Sequence, residues 1–360
     1  MQKSIEIITR SSETASEQFD KVFSSFFSSV PEGTAGVDPS SRMNYTSILL
    51  KFGSTRKSEF WIAIDPASSN VLARVGADIP MQRQEEGSVG FFECQLSELG
   101  RSAGLLLLAR AEKWLHDRGV KRAIGPMDFN SWFQYRFKLR PKEGDAAVDH
   151  PWEPTAPDIH LEVFAQSGFS ESIRFSSFFF EVSGREIWDA YIARLSSDHA
   201  RVLDEGFQIR GLKWGAELIS DLKHIFSLSN AAFPNNPMFE EIPFEIFSSM
   251  TMASSTNMNG GGSRICFTKN GDPAAFLFAF VSGNTVVYKT VAVHPQFQAI
   301  GIGNALTFEL CEFCRELDVK KSVGALIRSG NNSELIGRGF SKFAVSSGQH
   351  EYILMQKEIA

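Results

Sequence analysis

The segment of clearest chemical meaning reads Val291-Ala292-Val293-His294-Pro295-Gln296-Phe297-Gln298-Ala299-Ile300-Gly301-Ile302-Gly303-Asn304-Ala305-Leu306. A strand-like run ends at His294-Pro295, a short loop with two glycines follows, and a helical pattern begins. Such a junction suits an anion, because loop N–H groups and a helix N-terminus face it together. Gly301 and Gly303 let the backbone come close, since no Cβ intervenes. The third glycine of a dinucleotide fold is missing, and so is the Gly-Lys-Ser/Thr of a P-loop. His294 precedes a proline at the strand end and reads as a loop-surface residue. Cys311 and Cys314 have CxxC spacing. They fall inside a predicted helix with no second Cys or His pair nearby, so they read as packing residues, and no metal is expected.

The elements that position this loop can be traced along the chain. Residues 285–293 read as the strand before it. Residues 302–317 read as the helix after it, with Ile302, Leu306, Leu310, Phe313 and Leu317 on one face. Strands are expected at 207–212, 264–268, 274–281, 321–327 and 352–357, and helices at 216–232 and 242–250. Residues 257–263 form a glycine-rich turn. The first half repeats the order. Strands are expected at 58–64, 70–79, 90–95, 120–126 and 175–182. Helices are expected at 19–27, 103–118 and 158–166, with a loop at 32–42 and an irregular stretch at 127–157. A connecting helix at 185–204 joins the halves. Gly168-Phe169 and Gly339-Phe340 hold corresponding places, which points to a tandem duplication of one mixed α/β module.

Composition bounds the partners. The chain has 360 residues, 43% hydrophobic and 22% charged, enough for two domains. Lys plus Arg number 36 against 42 Asp plus Glu, a net charge of −6 that speaks against nucleic acid. Apolar runs such as 104–109 and 177–180 are too short to span a membrane. Four cysteines are too few for a disulfide-built fold. The first residues carry no signal or lipidation pattern, so a cytoplasmic location is expected. With 32 Phe against 5 Tyr and 6 Trp, the core should be aromatic-rich.

Gln298-x-x-Gly301-x-Gly303 directly after a strand resembles the acetyl-CoA motif of the GNAT superfamily of N-acyltransferases. The element order of residues 207–360 is similar to that fold throughout. The resemblance implies an α/β (mixed α+β) class with two tandem GNAT-like modules, each a mixed, mostly antiparallel twisted sheet flanked by helices. A degenerate domain would occupy 1–184, a connecting helix 185–205, and an acyl-CoA-binding catalytic domain 206–360. Backbone groups of Gln298, Ala299, Ile300, Gly301, Ile302, Gly303 and Asn304 would hold the pyrophosphate of acetyl-CoA or another short acyl-CoA. The strand through Val291, Ala292 and Val293 would splay from 321–327 and take the pantetheine arm, with Asn332 also near the coenzyme. In the first half, Arg101-x-x-Gly104 fits the motif's start, but Leu106 stands where a small residue is needed, so that half is not expected to bind CoA. Residues 125–136, rich in polar and aromatic groups, read either as an insertion covering the sheet edge or as a wall facing the second half's site.

Acyl transfer to an amine also calls for a base or water relay and an oxyanion donor, for which an N–H near Val291 is placed. The family often takes its acid from a Tyr on the helix after the penultimate strand. Residues 331–340 contain none, which leaves Tyr288, Ser333 and Tyr352 as substitutes by type. Glu240 and Glu241 lie in the 235–242 loop, which lines the acceptor pocket in the family. Phe233, Asn235, Met238 and Phe239 would form that pocket's wall. The expected reaction is acetyl or short-acyl transfer from acyl-CoA to a small-molecule or peptide amine, by a monomer or homodimer. A non-catalytic acyl-CoA sensor and an aminoacyl-tRNA-dependent transferase of the same fold are the alternatives.

Overall fold

Runs rich in Val, Ile, Phe and Trp pair into one continuous sheet in the computed structural model. The structure describes residues 5–12, 16–27, 39–143, 149–150, 153–255, 260–331 and 333–359. The first half runs β1 (Glu6–Thr9), α1 (Ser16–Ser25), α2 (Pro39–Gly53), β2 (Lys57–Asp65), β3 (Asn70–Ile79), β4 (Glu86–Cys94) and α3 (Glu98–His116). It continues with β5 (Arg122–Gly125), β6 (Phe137–Lys138), α4 (Asp158–Gln166) and β7 (Ser170–Glu181). The second half runs α5 (Arg185–Asp204), β8 (Gln208–Gly211), α6 (Leu218–Ala232), α7 (Phe244–Ser255), β9 (Arg264–Phe267), β10 (Pro273–Ser282) and β11 (Thr285–Val293). It ends with α8 (Ile302–Glu316), β12 (Lys321–Arg328), α9 (Ser333–Phe340) and β13 (Val345–Glu358). No helix among the described residues is long and apolar enough to cross a membrane.

Helices cover both faces of the sheet, so its strands are apolar on both sides. Alternation along each strand sorts the side chains. On β2, Trp61 and Ala63 pack with α3, while Phe60 and Ile62 pack with α1 and α2. On β10, Ala275, Leu277 and Ala279 pack toward α5 and α8, while Phe276 packs against α6. The abundant phenylalanines meet edge to face under α1 and α2, as in Phe23–Phe60 and Phe91–Phe129. Each such burial contributes roughly 1.5–3 kcal/mol.

The sheet order is β1-β2-β3-β4-β5-β13-β7-β12-β11-β10-β9-β8, with β6 also on β13. Neighbours are antiparallel except β4 with β5 and β11 with β12, which are parallel. The order is close to a palindrome about the β13–β7 seam. Each half gives its last long strand to the other's sheet: β7 pairs with β12, and β13 pairs with β5. The sequence divides the chain at 185–205, and the strand pairing crosses that divide. Helix α5 is also more than a tether, since its Asp189, Asp198 and His199 bond to Arg315, Asn304 and Glu309 of α8.

Several expected bounds change; β13 begins at Val345 and not at 352, and β4 at Glu86 and not at 90. Helix α3 begins at Glu98 and not at 103, because Ser97 caps it by accepting from the Gly100 N–H. The loop expected at 32–42 gives way to helix from Pro39. A proline fits the first helical turn, where its missing N–H has no role. The rest of that loop, and residues 257–259 of the expected 257–263 turn, lie outside the described residues.

Candidate active site

The loop between β11 and α8 is built around left-handed backbone. Ala299 has φ +66° and Gly301, the residue before α8, has φ +91°. No side chain caps α8. Among the described residues, none of the backbone N–H groups of 298–304 donates to a protein acceptor. A row of open donors at a positive helix end is a site for an anion. A Cβ added at Gly303 would meet nothing within 4 Å, so that face of the turn is open. The loop is tied from behind. Arg201 of α5 donates to the Ile300 carbonyl at 3.1 Å, and the Asn304 amide donates to Asp198 at 2.6 Å. The Gln298 amide reaches the Val293 carbonyl at 3.3 Å.

Strands β11 and β12 pair only from Thr285↔Lys321 to Tyr288↔Gly324 and then part. The His294 N–H bonds to Ala274 of β10. By alternation, the backbone groups of Val291 and Val293 point the other way, into the gap. A bulge at Lys289 bends β11 at the point of parting, since Tyr288 pairs with Ala279 and Thr290 with Phe278. Ala292 is buried against the α6 side, with Leu222 and Phe276.

The equivalent opening in the first half is closed. Strands β4 and β5 pair only over 86–88 and 122–124. The next segment fills the space: the Met127 N–H takes the Val89 carbonyl at 2.9 Å, and Asp128 accepts from the Phe91 N–H at 2.6 Å. Burial pushes the Asp128 carboxyl up to about 6, against the pull of that N–H and of Arg74. The connection from β4 to α3 is short and self-capped. Arg101 and Gly104 therefore sit within α3 and not in a loop, and Leu106 is an exposed helix residue. The motif likeness there was one of spacing only.

A cavity of about 1030 Å³ runs between the halves. Its lining includes Tyr288, Lys289 and Val291 from β11, Leu326 and Arg328 from β12, and Gln134, Tyr135 and Arg136 from the first half. None of residues 298–304 lines it. Residues 125–136 thus do both things expected of them. They plug their own sheet and form a wall of the shared cavity. Trp132 fastens that wall, donating to the Glu240 carbonyl at 2.9 Å and packing on Phe226, Phe239 and Phe247.

The expected site residues fare differently. Tyr288, Ser333, Phe233 and Phe239 line the cavity. The Tyr288 hydroxyl meets Thr307 at 3.3 Å, and burial holds its pKa well above the usual value. Asn235 is exposed and does not line the cavity; its neighbours Asn236 and Pro237 do. Met238 is buried with Tyr352 and Leu354. Glu240 is no cavity carboxylate. It is buried, pairs with Arg56 at 2.6 Å and accepts from the Met81 N–H at 2.8 Å, clamping the halves together. Glu241 is exposed and also outside the cavity. Asn332 lies outside the described residues. Tyr352 is fully buried in a network with Glu153, Ser177 and His150. Cys311 and Cys314 are buried. Asp149, Glu153 and His350 come within 4.8 Å of one another, but Lys138 already supplies a cation, at 2.5 Å from Asp149 and 3.0 Å from Glu153. Sequence reasoning missed Arg136 and Lys289. The trace of Lys289 is one charge in the apolar run Thr285–Val293.

Comparison with known proteins shows what the chain is similar to. Residues 222–322 match the family model described as an acetyltransferase (GNAT) domain. No curated protein matches the chain. Among solved structures, the chain is similar to the GCN5-related glucosamine N-acetyltransferase region of a fungal multi-domain GH3 β-N-acetylglucosaminidase. The likeness has 11% identity and a TM-score of 0.55 over 99% of this chain, which spans 38% of that protein's length. A probable N-acyltransferase from Enterococcus faecalis V583 is similar at 12% identity and TM-score 0.52, covering 99% of this chain and 72% of that one. A GCN5-related N-acetyltransferase from Kribbella flavida follows at 10% and 0.51, with the same coverage. Identities this low speak for the fold. They give a fold shared across the whole chain, and the acetyltransferase (GNAT) domain model covers residues 222–322 of it, inside the second half.

Proposed function

We propose that the chain is an N-acyltransferase whose second half takes an acetyl or other short acyl group from acyl-CoA and passes it to a primary amine. The observation that carries this reading is the uncapped row of N–H groups at 298–304, which follows β11, whose unpaired edge meets the shared cavity at Val291. The loop would hold the pyrophosphate, and Val291 and Val293 the pantetheine arm. The thioester would then reach the cavity, with the Val291 N–H near its carbonyl oxygen. The first half, its own gap filled, would supply a wall to the acceptor site.

The amine attacks the thioester carbonyl, the C–S bond breaks, and the CoA thiolate leaves. Glu240 and Glu241 stand away from this chemistry, so amine deprotonation would rest on the environment. Lys289 lines the same cavity with an exposed side chain, and the cavity's desolvation, aided by the charge of Arg136, lowers its pKa. An acceptor amine in the same cavity would shed its proton to water for the same first reason, desolvation. Tyr288, kept protonated by burial, would give a proton to the departing sulfur.

The test is free-thiol release from acetyl-CoA across a panel of small amines and peptides. Release that needs both the chain and an amine is expected. Coenzyme binding with no amine-dependent release would leave the non-catalytic sensor as the reading instead.

A further inference from the structure

Two cations from different halves flank the point where β11 and β12 part. Lys289 stands on the bulge of β11. Arg136 reaches across from the first half and donates to the Leu326 carbonyl of β12 at 3.4 Å and to the Tyr135 carbonyl at 3.2 Å. Its guanidinium lies over the rings of Tyr135 and Phe175, at 3.9 and 4.4 Å. Arg136 also holds a φ of +78°, an unfavourable backbone for a long side chain. Strain of that kind costs of order 1–3 kcal/mol and collects at ligand clamps.

Charge balance in the cavity is incomplete on this side. The cavity's acids are engaged elsewhere. Glu93 pairs with Arg42 at 2.7 Å, Asp128 accepts from the Phe91 N–H, and Glu153 pairs with Lys138. Among the described residues, no carboxylate pairs with Arg136 or with Arg328 at the end of β12. Burial without a counter-charge lowers the Arg136 pKa. A half-buried guanidinium with no counter-charge gains from an anion that meets it.

We infer that Arg136, with Arg328 and Lys289 around it, forms an anion subsite of the acceptor pocket, so that the acceptor carries a carboxylate or phosphate beside its amine. This rests on the acyl-transfer reading for the amine's fate. The anion site itself stands on the cavity's charges. A planar guanidinium suits either oxyanion, and it also lends itself to two-point contact.

Matched amines test it: glycine against methylamine, and phosphoethanolamine against ethanolamine. The wild type is expected to prefer a charged member by at least about 10-fold in kcat/KM, mostly through KM. The pair with the larger ratio tells carboxylate from phosphate. Arg136→Gln should erase most of the preference, lowering kcat/KM for the charged amines far more than for their neutral partners. Arg328→Gln is the second variant should Arg136→Gln not fold. Equal or better use of neutral amines, or a preference untouched by both variants, overturns the inference.

A second readout needs no turnover. Inorganic phosphate should raise the melting midpoint of Gly303→Leu, whose 298–304 loop is obstructed, but not of the double variant Gly303→Leu with Arg136→Gln. No turnover with any amine, beside this pattern, would refute acyl transfer and leave the anion site standing. Absence of the pattern overturns the anion site.

Discussion

Glu153→Gln probes the seam where the two halves exchange strands. The Glu153 carboxylate is 1% exposed. It is bonded by the His350 ring at 2.5 Å and by the Tyr352 hydroxyl, both on β13, and it pairs with Lys138 at 3.0 Å. Burial works to raise its pKa, but the His350 hydrogen bond, His150, Tyr352 and Lys138 outweigh it and hold the group at about 2. Against the ordinary value of 4.5, that depression is worth about 3 kcal/mol at pH 7. For a chain this long it corresponds to a fall in melting midpoint of about 4 °C. The sign follows from the depressed folded pKa. The stabilisation is complete above the unfolded value and is lost as pH falls from 4.5 toward 2. Thermal unfolding of wild type and variant, followed by circular dichroism at pH 7 and pH 3, measures it. The gap should be about 4 °C at pH 7 and should lose roughly 2 kcal/mol of its free energy by pH 3. A gap below about 1 °C at pH 7, or one of equal size at both pH values, would refute the reasoning.

Arg56→Ala leaves Asp78 and Glu240 buried without their shared cation. It should cost about 3–5 kcal/mol in denaturant unfolding. Ser97→Ala removes the cap of α3. It should cost about 1 kcal/mol and leave acetyl-CoA affinity unchanged in calorimetry, because that helix start is closed by its own cap. Tyr288→Phe should lower kcat about 10-fold with acetyl-CoA binding intact. An unchanged kcat would remove Tyr288 from the proton path.

The repeated order of elements was legible because each depends on local signals. The period of α8, the Gly-Phe after α4 and the strand runs around 264–293 all stand in short stretches of sequence. The strand exchange was not legible. Strands β7 and β13 both carry aromatic, half-buried patterns that suit either sheet. Which partner each takes is decided by chain path and not by local preference. Glu240 looked available because its partner Arg56 lies far away in sequence. The false motif at Arg101 arose because the Ser97 cap was overlooked, and with it the true start of α3. The turn at 298–304 was legible because glycine spacing announces backbone conformation, here the left-handed Gly301 before α8. Arg136 owes its importance to a neighbour in the other half, Leu326, which no local pattern reveals.

Calorimetric titration of acetyl-CoA into the wild type and Gly303→Leu tests the central claim. The substitution is clean: a Cβ at Gly303 meets no atom within 4 Å, and leucine is the better helix former by roughly 0.8 kcal/mol. Gly301 would be a poor choice, since its φ is +91° and a Cβ there would lie 2.5 Å from Arg201. The account predicts one micromolar site in the wild type and none in a variant that melts no lower. Equal binding by both proteins, or none by the wild type, would contradict it.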